Sequence, residues 1–376
     1  MESKLKIALV KQEVYQDLYV CPTTEKDPAA ILFSSMGRVG PMGLMADLDA
    51  DFYIVREEPE WETQIYRKVI PRIADDLRML KTKTLDQLPG QGFKKPGSPW
   101  PNGKFAVDGR RVDWGRYDLV ISLNVSLPTA VVRQYPATLF AYMIGEANLA
   151  TGAVHFGYDA TLNQMARGIV ATRCGKVDFP YTFVGAQTLE RIMAGRLQRP
   201  SRRKGIFMEI NSTRERPVTQ VPPHFKPLEQ TGQPILLHRQ KIGDNLESIY
   251  DAKYFIKWGG RNIRGNSVAE AISLGTLCLM NRDEVIHREL IIDECHVTSM
   301  DQLLALVNRL EQDPQLYDTL LAKQRAVLQD LFFDRPLQSL RNCLADKRRR
   351  NAPPRYTAWN RMADHLCFFR LKQPWK

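Results

Sequence analysis

The chain has 376 residues, of which 44 % are hydrophobic and 25 % charged. That is ordinary for a globular chain long enough to form two domains, and it excludes wholesale disorder, collagen-like repetition and a disulfide-dense miniprotein. The net charge of +11 is unevenly spread. Residues 341–376 hold ten Lys or Arg against two acids, a net +8, which leaves +3 for the rest. A nearly neutral body argues against a nucleic-acid groove through the fold, which needs basic residues across one face. No apolar run approaches the roughly 20 residues that cross a bilayer. The N-terminal apolar stretch Ile7–Val10 is shorter than the about 7–15 residues of a secretory signal. The expected location is cytoplasmic. The six cysteines contain no CxxC and the six histidines no HExxH. Reduced, inert thiols and no metal site are therefore expected.

In chain order, short runs rich in Val, Ile, Leu and Phe read as strands buried on both faces: 5–10, 31–33, 52–55, 119–123 and 138–144. Helix candidates lie between them at 60–80 and 128–135, the second with Pro128 in its first turn. Alternating strands and helices predict a parallel α/β sheet. Residues 84–116 are rich in Gly and Pro and read as a loop insertion. A helix is expected at 186–197, followed by the polar stretch Gln198–Lys204 as a domain boundary. The rhythm then restarts with strands at 205–210, 235–238, 254–257, 276–280 and 296–298. Helices are expected at 267–274, 300–312 and 314–331, and a proline-rich loop at 213–234. Trp359, Met362, Leu366 and Phe369 fall at helical spacing within 357–371. This divides the chain into an acceptor-side domain (1–200), a donor domain (201–340) and a basic, aromatic tail (341–376).

The stretch 254–281 carries the most chemistry. It reads as a buried strand, a loop with Gly259, Gly260, Arg261, Arg264 and Gly265, and then a helix opened by Asn266 and Ser267. Both of these residues suit an N-cap. A helix N-terminus offers free N–H groups and partial positive charge to a phosphate, and Arg261 and Arg264 could add charge-assisted bonds. Glu270 lies in the first turn, where it either caps the helix or accepts bonds from two ribose hydroxyls. Arg239 and Lys241 follow a strand end of the same domain and could neutralise a diphosphate. In the first domain Gly37 and Arg38 follow a strand and are candidates for a phosphate-proximal loop, although no GxGxxG is present. Glu146, His155 and Asp159 are the candidates for an acceptor-side base or hydrogen-bond acceptor.

The pattern Ser267-x-x-Glu270-Ala271-x-x-x-Gly275 before an apolar strand resembles the donor-binding segment of GT-B fold glycosyltransferases, in particular exostosin-like and bacterial cell-surface polysaccharide enzymes. The resemblance covers about 30 residues in detail. It implies an α/β fold of two Rossmann-like domains facing each other across a cleft, with a C-terminal helix crossing back. It also implies Glu270 as the ribose ligand, Ser267 near the diphosphate, and a nucleotide sugar as substrate with no cofactor and no bound metal. Many retaining members carry a second glutamate seven or eight residues before the ribose glutamate; Ile263 and Asn262 stand there in this chain. The implied reaction moves a sugar to a hydroxyl of a glycan or lipid-linked acceptor in polysaccharide biosynthesis. A non-catalytic nucleotide- or glycan-binding protein and a sugar-nucleotide epimerase are the alternatives. The cluster Lys347–Arg350, expected to be exposed, suggests peripheral contact with anionic membrane, and nucleic acid is not an expected partner.

Overall fold

A computed structural model describes residues 4–12, 47–48, 50–55, 106–107, 112–123, 127, 129–144, 158–163, 176–178, 185–209, 220–238, 242–258, 266–285 and 287–350. The chain falls into two compact units, one formed by Met1–Pro180 with Pro336–Lys376 and the other by Tyr181–Arg335. Each is built on a parallel sheet, as the alternating runs predict.

Among the described residues the first unit has seven strands: β1 (Ile7–Gln12), β2 (Asp51–Val55), β3 (Ala106–Val107), β4 (Leu119–Leu123), β5 (Leu139–Ile144), β6 (Ala160–Asn163) and β7 (Lys176–Asp178). Their order is β3-β2-β1-β4-β5-β6-β7, so the direction of winding reverses between β1 and β4. Helix α1 (Thr129–Gln134) links β4 to β5. The expected insertion at 84–116 is not loop throughout. Its residues Ala106 and Val107 pair with Ile54 and Val55 at the sheet edge, and Trp114 is fully buried with Ala8, Val10, Val120, Val131, Phe140, Tyr142 and Tyr158. Burial of an indole is the physical reason, since no surface loop recovers that much apolar area. Tyr158 is the polar pin of this core. Its hydroxyl lies 2.6 Å from Ser122 Oγ and accepts the Leu127 N–H at 2.9 Å.

The second unit has the order β11-β10-β8-β9, from β8 (Ile206–Glu209), β9 (Ile235–Leu237), β10 (Tyr254–Lys257) and β11 (Leu277–Cys278). Around it lie α2 (Thr188–Leu197), α3 (Ile242–Asp251), α4 (Asn266–Ser273), α5 (Met300–Gln312) and α6 (Pro314–Gln329). The stretch 198–204, read as a domain boundary, is instead fastened inside this unit. Arg199 grips Asp251 with both guanidinium nitrogens at 2.6 and 2.7 Å, and Tyr250 Oη donates to the Arg199 carbonyl at 3.0 Å. A bidentate pair with a partly buried carboxylate costs more to break than an exposed one, so this polar run acts as a tether. Three other expectations change. The proline-rich loop contains a 3₁₀ helix, Pro223–Thr231, that buries Phe225 and Leu228. The strand expected at 296–298 is one bridge, His296 to Met280. Finally, α6 does not stop at 331 but passes through a π turn, Asp330–Asp334, into α7 (Arg335–Arg350).

Helix α4 ends at Gly275, whose φ of +83° is the left-handed C-terminal cap that glycine adopts without strain. Arg203 and Arg325 donate to the last carbonyls of α4, those of Leu274 and Ile272, and both guanidinium groups pair with Glu190 of α2. Cations at a helix C-terminus complement its dipole.

Strand β11 is an edge strand, and Gln324 of α6 stands where a further strand would. Its Oε1 accepts the Cys278 N–H at 3.0 Å and its Nε2 donates to the Cys278 carbonyl at 2.8 Å, with the side chain fully buried. Two backbone groups of the sheet edge are satisfied by one amide. Gln324→Leu, similar in size, should cost about 1–3 kcal/mol by orphaning them. Urea unfolding with an unchanged midpoint would refute this role.

Candidate functional site

In an open parallel sheet, loops leaving adjacent strands on opposite sides open a crevice beyond the strand carboxyl ends where the winding reverses. In the second unit that place lies between β8 and β10, because β8 leads to β9 on one side and β10 returns on the other. The last residues of these two strands, Glu209 and Lys257, are register partners. Helix α4 begins beyond β10 with Ser267 in its first turn; Glu270, expected in that turn, is the fifth residue of the helix and lies just past it.

The three side chains Glu209, Ser267 and Glu270 form one cluster. Ser267 Oγ donates a hydrogen bond to Glu209 Oε2. Glu270 keeps partial surface exposure, yet its carboxyl is pushed up to about 8, first by desolvation and then by the nearby charge of Glu209. A carboxyl that touches solvent on one side and protein on the others meets both conditions. Lys257 is buried and donates to the Glu284 carbonyl at 3.0 Å. At the end of β9, His238 Nε2 lies 3.1 Å from Asn245 Nδ2 of α3.

This arrangement combines hydroxyl and helix-end N–H donors, suited to an oxyanion, with an acidic group suited to hydroxyls. It brings together Ser267 and Glu270 of the residues singled out in the sequence. Asn266 is the first residue of α4. Glu209 was missed as a site residue. The available signal was its place at the end of the first strand after the polar stretch, but nothing in the sequence set it against Ser267, 58 residues away. Arg239, Lys241, Arg261 and Arg264 lie outside the described residues, as do Gly37, Arg38, Glu146 and His155.

Asp159 is a correction. It is fully buried in the first unit, and its Oδ2 accepts the Phe140 N–H at 2.8 Å and pairs with Lys347 Nζ at 2.6 Å. An acceptor hydroxyl cannot reach a carboxylate sealed in this way, so its role is structural. The same pair corrects the tail. Lys347 is 5 % exposed and also donates to the Thr138 carbonyl at 2.6 Å. Arg348 pairs with Asp118 at 2.6 Å and Arg349 with Asp346, but both stay exposed as expected, so the correction concerns Lys347. The apolar stripe at 357–371 lies outside the described residues. Among the described residues no group of three or more His, Cys, Asp or Glu is placed to hold a metal ion, and no helix is long and apolar enough to cross a membrane.

No family model and no curated protein matches the chain. Among solved structures it is similar to an α-glucosyltransferase in complex with UDP-glucose and DNA containing an abasic site, at 8 % identity and a TM-score of 0.44, covering 91 % of this chain and 100 % of that one. It is also similar to the T4 phage β-glucosyltransferase in complex with UDP and Mn2+, at 12 % identity and a TM-score of 0.39, covering 92 % and 99 %. A third is Anabaena HepE in complex with UDP, at 9 % identity and a TM-score of 0.37, covering 92 % and 100 %.

Proposed function

We propose that this chain is a glycosyltransferase that moves a sugar from a nucleotide-activated donor to a hydroxyl of a glycan or lipid-linked acceptor. The observation that carries this reading is Glu270. It stands just past the first turn of α4, on the side of the second sheet where the winding reverses, and desolvation holds its proton to about 8. A carboxyl kept only as a helix cap is better placed in water, where its charge costs nothing. A carboxyl that receives two ribose hydroxyls gains from enclosure, because each bond to the ionised group contributes more there than in water.

In this reading Ser267 and the free N–H groups opening α4 receive the diphosphate. Arg239, Lys241, Arg261 and Arg264 add the charge that stabilises the departing nucleotide, and no metal ion is required. Glu146 and His155 remain the candidates for the group that takes the acceptor proton. Peripheral membrane contact would rest on exposed basic residues such as Arg348 and Arg349 and not on the buried Lys347.

A panel of nucleotides and nucleotide sugars tests the reading. A ligand present at about 100 times its Kd stabilises the native state by about 2.7 kcal/mol, which raises the melting temperature. At least one nucleoside diphosphate sugar should do so in the presence of EDTA. A panel without any shift refutes the donor site, and a shift that appears only with Mn2+ or Mg2+ refutes metal independence.

A further inference from the structure

The contact between Ser267 and Glu209 has a consequence for the donor site proposed above, on which this inference rests. A serine hydroxyl has one proton to donate. In this structure that proton goes to Glu209 Oε2. A phosphate oxygen arriving at the start of α4 needs the same proton, so the two bonds exclude each other. An ionised carboxylate has no proton of its own, so Glu209 cannot bond to the phosphate that displaces it. It can only repel it, as it already acts on Glu270.

We propose that Glu209 is a built-in anion that holds the phosphate-binding hydroxyl of Ser267 and competes with the donor's diphosphate for it. The placement supports a mobile competitor more than a fixed structural link. Glu209 is the last residue of β8, half-exposed where Ile206, Phe207 and Met208 before it are buried. The hydrogen bond joins two ends that the sheet and helix already position, since β8 is in register with β10 over four residue pairs and α4 is anchored at its far end by Gly275 and the Glu190 pairs. The fold therefore does not need the bond, while a ligand has to break it. The device sets a charge threshold at the site: a ligand gains the Ser267 hydroxyl only if its own anion displaces Glu209.

The test is Glu209→Gln, which keeps the shape and an oxygen that accepts from Ser267 but removes the charge. Binding of uridine and of UDP, or of whichever nucleoside and its diphosphate the wild type binds, is measured by calorimetry at low and at physiological salt. Glu209→Gln should tighten the diphosphate about five- to tenfold and leave the nucleoside within about twofold. The gain should shrink at higher salt, because screening weakens the repulsion it removes. Equal affinities for the diphosphate in variant and wild type overturn the inference while leaving the donor site standing. Weaker binding of nucleoside and diphosphate alike also overturns it, by making Glu209 a ligand of the nucleoside. A wild type that binds no nucleotide removes the donor site and this inference together. Ser267→Ala serves as the second variant. It should bind the diphosphate more weakly, and Glu209→Gln added to it should still tighten binding by charge alone, though by less than in the presence of Ser267.

Discussion

Lys347→Met should destabilise the protein by about 3–5 kcal/mol, the range for removing one partner of a buried ion pair. Asp159 has no exposure to water, and its Oδ2 lies 2.6 Å from Lys347 Nζ and 2.8 Å from the Phe140 backbone nitrogen. Without the ammonium group, a carboxylate stays buried among apolar neighbours. The Thr138 carbonyl loses its donor as well. The double variant Lys347→Met with Asp159→Leu should recover most of the loss, because two well-packed apolar side chains replace a buried pair at little net cost. Urea unfolding of the two variants beside the parent checks this. If the single variant melts like the parent, α7 is not held by this pair. If the double variant is worse than the single, the backbone groups served by the pair matter more than the charges.

Glu270→Gln should move stability and nucleotide binding in opposite directions. The folded protein holds the Glu270 proton to about 8, whereas the ordinary value is 4.5. As pH rises above 4.5, the unfolded chain gives up this proton and the folded one keeps it. Glu270 therefore lowers stability progressively from about pH 4.5 to about pH 8, and the loss is complete above that window. Glutamine does not titrate. The variant should gain on the parent across this window and end more stable by on the order of 1–2 kcal/mol, as when a strained functional group is neutralised. The same change should weaken nucleotide binding by about 1.5–3 kcal/mol, the range for a hydrogen bond to a charged group. In the parent, nucleotide affinity should rise with pH towards 8, because ribose hydroxyls donate best to the ionised form. Melting curves from pH 5 to 9 and one binding isotherm decide the matter. A variant that melts lower at every pH and binds nucleotide normally makes Glu270 a helix cap and nothing more.

Both variants act on groups that the sequence showed unequally. Glu270 was legible because its neighbours set it in context: an apolar strand, a Gly- and Arg-bearing loop, two capping residues and a glycine five residues on. Each of these is a local preference of the backbone, expressed over a dozen residues. The structure agrees at each described point, with β10, the start of α4 and the left-handed Gly275. The strands β1, β2, β4, β5 and β8 to β10 were legible for the same reason. A strand buried on both faces has to be a short apolar run whatever its partners are.

Pairing across the chain is another matter. Asp159 and Lys347 are 188 residues apart, and each by itself reads as an exposed charge. Only the packing of α7 in the first unit sets one against the other, turning one lysine of an expected basic patch into a core contact and a supposed base into its partner. Glu209 and Ser267 meet because β8 and β10 lie side by side. Trp114 and the strand β3 looked like loop because the glycines and prolines around them are local signals, while the core that receives the indole comes from β1, β4 and β5. The local sequence determined most of the strands and helices and where the glycine-rich loop gives way to a helix. The tertiary structure alone decided which charges face water and which face each other, because a charge has no preferred secondary structure and its state depends on what long-range packing brings beside it.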